Sequence, residues 1–237
     1  RWGGRNGYGG KASCIYSVEF TAETVDRIRK KKFTQTWSSN MSKTNPPKVK
    51  DFDGKPYTKV TFLPDYKRFG CEKLTDDMKS LLTRRVYDLA GVTGISVFLN
   101  GKKLPIKHFQ HFTELFLDKS TKRVYECIYD GKKEDGQVAW EIVACPSPDG
   151  TFKHVSYVNC ISTFQGGKHV DYVSQKISKQ LSDMFNAKVS KKGTPIQRKH
   201  ITNNLWVFIN ASIINPSFSS QTKEYLTTVS SQFTDCS

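Results

Sequence analysis

The chain opens on RWGGRNGYGGK, a glycine loop that ends in a lysine. Gly4, Gly7, Gly9 and Gly10 can adopt backbone angles closed to other residues, so successive N–H groups can turn inward onto an anion, with Lys11 adding a full positive charge. From Lys11 onward the residues can begin a helix, whose N-terminal dipole would add to the attraction for a polyphosphate. Two familiar phosphate patterns do not fit. A Walker A loop needs glycine where Arg5 stands and Ser or Thr where Ala12 stands. The dinucleotide spacing Gly7-x-Gly9-x-x-Ala12 needs a strand just before it, and only six residues precede Gly7. The loop therefore belongs to another nucleotide fold or is a plain N-terminal turn. His108 and His111 could share a helix face, but no further ligand is spaced to complete a zinc site. The six cysteines at 14, 71, 127, 145, 160 and 236 form no C-x-x-C pair. They are expected to be reduced packing residues.

Composition narrows the partners. The chain has 237 residues, enough for two domains with cores that need no staples. Lys plus Arg number 37 against 22 Asp plus Glu, a net charge of +15, which implies a polyanionic partner, DNA or RNA first. No run approaches the roughly 18 apolar residues of a membrane span, and the N-terminus lacks a signal peptide's apolar stretch. The chain is expected to be soluble and intracellular, without a membrane partner.

The residues must be carried by an α+β framework. Alternation predicts strands at 17 to 24 and 32 to 37, with Arg27, Arg29, Lys30, Lys31 and Lys32 at a solvated hairpin tip between them. Residues 38 to 50, with Pro46-Pro47, read as a loop. A strand at 57 to 62 follows the Asp53-Gly54 turn. Met78, Leu81, Leu82, Val86 and Leu89 form a helical stripe over 74 to 91, with Thr75 or Asp76 as cap and Gly91 as stop. Ile95, Val97 and Leu99 make a strand closed by Asn100-Gly101, and further strands are expected near 124 to 129, 139 to 144 and 155 to 160. Val170, Val173, Ile177, Leu181, Met184 and Phe185 predict a helix over 170 to 186 that ends in a lysine-rich loop. The nearly continuous apolar run at 205 to 209 reads as a central strand. No internal repeat is visible, and a domain boundary near 106 is expected.

With these residues in place, the chain resembles the ATPase region of eukaryotic-type DNA topoisomerases II. The resemblance runs through GGRNGYGGK, FTQTW at 33 to 37, NMSK at 40 to 43, TFLPD at 61 to 65 and RRVYDLAG at 84 to 91. It continues through VFLNGKKLP at 97 to 105, VSYVNCISTFQGGKHVDYV at 155 to 173, NNLWVFIN at 203 to 210 and NPSFSSQTKE at 215 to 224. It implies an α+β protein in two parts. Residues 1–106 would be the C-terminal part of a GHKL (Bergerat) ATPase α/β sandwich, and residues 107–237 an α+β transducer domain. The family's magnesium-binding Asn, general base and adenine-contacting Asp lie before the glycine loop, so this chain is expected to be a fragment that does not hydrolyse ATP unaided. Gly10 stands where the family usually has Ala, which loosens the helix start by up to about 1 kcal/mol.

Residue by residue, the resemblance implies that Gly4, Arg5, Asn6, Gly7, Tyr8, Gly9, Gly10 and Lys11 form the lid loop around the triphosphate. Gln221, Thr222 and Lys223 match the transducer loop that approaches the γ-phosphate, with Lys223 as catalytic sensor of ATP over ADP. Lys188, Lys191 and Lys192 stand where the family's lysine loop meets DNA. The implied whole enzyme is an ATP- and magnesium-dependent, nuclear, homodimeric topoisomerase that passes one duplex through another. Asn159 and Gly166-Gly167-Lys168-His169 also match, but packing of a strand-to-helix turn suffices to explain them. The alternative is a basic α+β module that grips nucleic acid without any nucleotide role, and the Gln-Thr-Lys loop discriminates against it. A chaperone or a MutL-type relative is disfavoured by the order of the motifs.

Overall fold

The computed structural model describes residues 7–130, 137–188 and 194–234. They divide into two compact units, one ending at Ser80 and the other starting at Leu81. Gly4, Arg5, Asn6, Lys191, Lys192 and Cys236 lie outside the described residues.

In the first unit, helix α1 (Tyr8–Ile15) leads into an antiparallel sheet of β1 (Ser17–Asp26), β2 (Lys31–Ser38), β3 (Lys43–Thr44), β4 (Lys48–Asp51) and β5 (Thr58–Pro64). β1 sits between β2 and β5, and β3 and β4 both pair with β2. The stretch 38 to 50 is thus more than a loop. Its prolines precede β4, and the edge of β2 offers unpaired backbone groups that both short strands satisfy. Buried Phe20 meets Trp37 and Phe62 across the strands, at ring centroids 6.0 and 6.3 Å apart. The basic tip is solvated as expected and closed by ion pairs. Arg29 bonds Asp26 at 2.7 Å, Lys30 bonds Asp53 at 2.9 Å, Lys31 bonds Asp51 at 2.6 Å and Lys32 bonds Glu23 at 2.8 Å.

Helix α2 (Asp76–Thr93) starts on Thr75, whose hydroxyl accepts from the Met78 N–H at 3.2 Å. Gly91 is not its stop. The helix continues to Thr93, and Gly94, at φ 66°, turns the chain out. Gly91 is glycine because a Cβ there would fall on the Phe112 ring. The predicted stripe is also displaced, since Leu81, Leu82 and Leu89 are exposed while Asp88, Ala90, Gly91 and Val92 are buried.

The second unit continues with the hairpin β6 (Phe98–Leu99) and β7 (Lys102–Lys103), turned by Asn100 and Gly101 at positive φ. The expected strand at 95 to 99 shortens accordingly. In α3 (Phe109–Thr113), His108 is the N-cap, its Nδ1 accepting from the His111 N–H at 3.2 Å, so this histidine pair has a capping role. The main sheet combines β8 (Val124–Asp130), β9 (Gln137–Pro146), β10 (Lys153–Val158), β11 (Ile161–Ser162) and β13 (Leu205–Ala211) in the order β11-β10-β13-β9-β8. β10 and β13 are parallel. Their connection runs through β12 (Gly166–Gly167), α4 (Lys168–Lys188) and α5 (Arg198–Asn203), and β12 pairs with β14 (Tyr225–Leu226) beyond the sheet.

β13 is central and buried on both faces, which explains its unbroken apolar run. Val207, Ile209 and Ala211 face a core with Trp140, Val158, Val170, Val173 and Leu226. Phe208 faces the opposite core with Ala90, Val92, Leu104, Ile106, Phe109, Phe112, Val143 and Tyr157. Leu104 and Ile106 on one side of the expected boundary therefore share a core with Phe109 and Phe112 on the other. An anchor joins α2 to β10. Buried Asp88 accepts from the Tyr157 hydroxyl at 2.7 Å and from Arg84 Nε at 2.7 Å. Burial first, then the Asp88 charge, pushes the Tyr157 hydroxyl above its ordinary pKa.

Candidate functional site

The glycine loop enters its helix earlier than the sequence suggests. Gly7 is the N-cap of α1 in the left-handed conformation, φ 62° and ψ 18°, so Tyr8, Gly9, Gly10 and Lys11 form the first helical turn. The first N–H groups of a helix have no carbonyl of that helix to bond, and they carry its positive dipole end. Gly7, Gly9, Gly10 and Lys11 are exposed, and a Cβ built on Gly9 or Gly10 meets nothing within 4 Å. A glycine-walled helix start beside a lysine fits a polyphosphate.

The far end of α1 is fastened by two residues of the shared motifs. Asn40 Nδ2 donates to the Ile15 carbonyl at 3.0 Å and to Asp65 Oδ2 at 3.1 Å, and the Asp65 N–H donates to the Tyr16 carbonyl at 2.9 Å. Ser39, Asn40 and Met41 all adopt positive φ, which bends the chain so that Asn40 reaches the helix end. The sequence signal for this bracing is membership of the NMSK and TFLPD motifs, which does not say what the residues hold.

Gln221, Thr222 and Lys223 lie at the tip of a loop closed by the Phe218–Leu226 bridge and by a Ser219 N–H bond to the Tyr225 carbonyl at 3.1 Å. Gln221 and Thr222 are exposed, and Lys223 is half-buried at φ 60°. Inside the tip, the Ser220 and Thr222 hydroxyls are 2.7 Å apart, and the Lys223 N–H donates to the Ser220 carbonyl at 3.1 Å.

The motif residues to which sequence reading assigned only turn packing hold this loop at both ends. Asn159, at φ 49°, clasps Ile213 in both directions, donating to its carbonyl at 2.8 Å and accepting its N–H at 2.9 Å. On the other side, Gly166 and Gly167 pair in parallel with Tyr225 and Leu226. Beneath them runs a buried polar chain. His154 Nδ1 and the Ser156 hydroxyl are 3.3 Å apart, Ser156 Oγ and Thr163 Oγ1 2.7 Å, and Thr163 Oγ1 and His169 Nε2 3.0 Å. Burial, and secondarily the nearby His154, pushes the fully enclosed His169 down to about 3, so it is neutral at physiological pH. His154 is lowered too, by burial, against the opposing charge of Asp171. No feature of the sequence marks these histidines as neighbours under the loop, because they are linked only through Ser156 and Thr163, which the fold brings between them.

Lys188 is exposed at the C-terminus of α4. Among the described residues there is no group of three or more His, Cys, Asp or Glu placed to hold a metal ion. A cavity of about 940 Å³ between α4, α5 and the β8–β9 end of the sheet is lined by apolar residues such as Ile128, Ile142 and Leu181, and by none of the loop residues above.

Comparison with known proteins identifies the family. Residues 108–234 match the family model described as DNA gyrase B. The chain is 43% identical over 235 residues to DNA topoisomerase 2 of Penicillium chrysogenum, covering 98% of this chain and 15% of that protein. It superposes on the ATPase and transducer domains of DNA topoisomerase II from Balamuthia mandrillaris with a TM-score of 0.87 at 39% identity, covering 99% of this chain and 59% of that one. The ATPase region of Saccharomyces cerevisiae topoisomerase II gives 0.84 at 41% identity, covering 98% and 57%. The chain thus spans about 15% of the length of the curated relative and somewhat over half of the solved ATPase regions. With more than half its residues matched to the family model and nearly all of them superposed on eukaryotic ATPase regions, the chain belongs to the DNA gyrase B family of type II topoisomerases.

Proposed function

We propose that this chain supplies the nucleotide lid and the phosphate-sensing loop of an ATP-driven DNA topoisomerase II. Residues 4–11 wrap the triphosphate with backbone N–H groups and Lys11. Gln221 and Lys223 donate to the γ-phosphate, Thr222 shapes the loop between them, and loss of that phosphate on hydrolysis removes the ligand that the loop grips. ATP then differs from ADP by one charge-assisted contact, which is enough to shift a conformational equilibrium between the two nucleotide states. In the complete homodimeric enzyme, acting on duplex DNA in the nucleus, this shift would drive gate closure. Residues 1–106 would be the C-terminal part of the GHKL domain, residues 107–237 the transducer, and Lys188, Lys191 and Lys192 would touch the DNA backbone.

The observation that carries the reading is the bracing of the Gln221–Lys223 loop. Asn159 clasps its entry, and β12 pairs with its exit. A bare nucleic-acid module has no use for a short loop held so closely at both ends. The test is Lys223→Ala in the complete enzyme. Loss of one preorganised donor to developing charge lowers turnover on the order of 10²-fold. The affinity advantage of a non-hydrolysable ATP analogue over ADP should also collapse. Wild-type turnover and wild-type discrimination would refute the sensor role.

A further inference from the structure

We infer that Gln165, Gly167 and Glu224 are positioning residues that set where Lys223 stands, an inference that rests on the sensor reading above. A lysine side chain carries considerable rotamer entropy and cannot place its own ammonium. Its backbone must be placed for it, and the neighbouring residue does this. Glu224 is held twice by one partner, its carbonyl accepting from the Gln165 N–H at 3.1 Å and its carboxylate from Gln165 Nε2 at 2.6 Å. Two bonds between the same pair of residues fix rotation as well as distance, one residue away from Lys223.

The next contact allows no slack. Gly167 lies at φ 137°, and a Cβ there would stand 2.5 Å from both the backbone N and O of Leu226, so any side chain would push β14 off its seat. Gly166 is similarly close to the floor, where a Cβ would come within 3.1 Å of His154 Nε2. The loop is therefore located by the turn that starts α4, which rests on the His154–Ser156–Thr163–His169 chain. A displacement of about 1 Å at a group that acts on a reacting phosphate costs up to about 10²-fold. These residues touch no substrate and act through Lys223.

The test is a carboxamide swap in the complete enzyme. Gln165→Glu sets two carboxylates against each other and should lower kcat for ATP by about 10-fold to 10²-fold, with KM for ATP changed less than about 3-fold. Adding Glu224→Gln restores one amide donor facing one carboxylate, with the identities exchanged, and should return kcat to within about 3-fold of wild type. A purely structural defect would not be repaired by exchanging the two groups. Gly167→Ala should give the same kcat loss, and Lys223→Ala, measured alongside, reports the sensor itself. If Lys223→Ala impairs turnover while Gln165→Glu does not, or if the swap fails to restore kcat, the positioning role is wrong and the sensor stands. If Lys223→Ala is itself silent, both fall.

Discussion

The proposed sensor role would divide the chemistry between a Lys223 charge that reaches out and neutral groups beneath it that stay in place. In the proposed role the compact ammonium would reach a single phosphate oxygen, whereas a guanidinium presents a planar fork of different reach. Lys223→Arg in the complete enzyme should therefore restore only part of the turnover lost in Lys223→Ala. Full restoration in a steady-state ATPase assay would show that charge alone is sufficient. Below the loop, His169 makes a second prediction. Its folded pKa, about 3, lies below the ordinary value of 6.5, so between those limits the unfolded chain binds the extra proton. Stability should be fully present above pH 6.5 and fall as pH drops toward 3, at up to about 1.4 kcal/mol per pH unit from this residue. The lowered His154 works in the same direction. Denaturant unfolding at a series of pH values should show a shallower slope for His169→Gln than for the wild type, and parallel slopes would assign the acid sensitivity to other groups.

Helix α1 combines a strong C-terminal anchor with a weak start. Gly9 and Gly10 fall in its first turn, and each costs up to about 1 kcal/mol relative to Ala. Because a Cβ at 10 meets open space and Gly10 has no positive φ, Gly10→Ala should stabilise the helix by about 0.4–1 kcal/mol, read as a raised unfolding midpoint. Gly91→Ala should do the reverse. Overpacking against the Phe112 ring should destabilise the chain by about 1–3 kcal/mol, and an unchanged midpoint would mean that α2 can shift away from α3 without loss. From the sequence these two glycines read as a loop residue before a helix and as a helix stop, yet both lie inside helices. Only the contact with Phe112 reveals why one of them cannot be replaced.

The net charge of +15 is unaltered by ion pairing, but several individual cations are neutralised locally. The basic hairpin tip, a natural candidate for nucleic-acid contact, spends Arg29, Lys30, Lys31 and Lys32 on ion pairs. The DNA proposal consequently rests on Lys188, Lys191 and Lys192. Duplex binding should weaken steeply with salt and show no sequence preference, since phosphate contacts release counterions. Replacing the three lysines by alanine should reduce the log–log salt slope by up to about 0.9 per lost contact, measured by fluorescence anisotropy. An unchanged slope would move the contact to another basic surface.

The periodic elements were legible because their period is written locally. The β1–β2 hairpin, α4 and the central β13 follow from alternation, helical spacing and a short apolar run, and the ordered motifs carried the family. The glycine loop and the Gln-Thr-Lys segment were legible as motif matches, without any indication of what holds them. Tertiary structure decided the rest. Residue 91 is glycine inside a helix because Phe112 needs the space, and Asn40 caps a helix that ended well before it in the chain. Asn159, Gln165 and Gly167 brace a loop 54 to 59 residues downstream. Such contacts depend on how β10, α4 and β14 come together, and side-chain spacing along one strand or helix carries no information about a partner brought in from elsewhere in the chain.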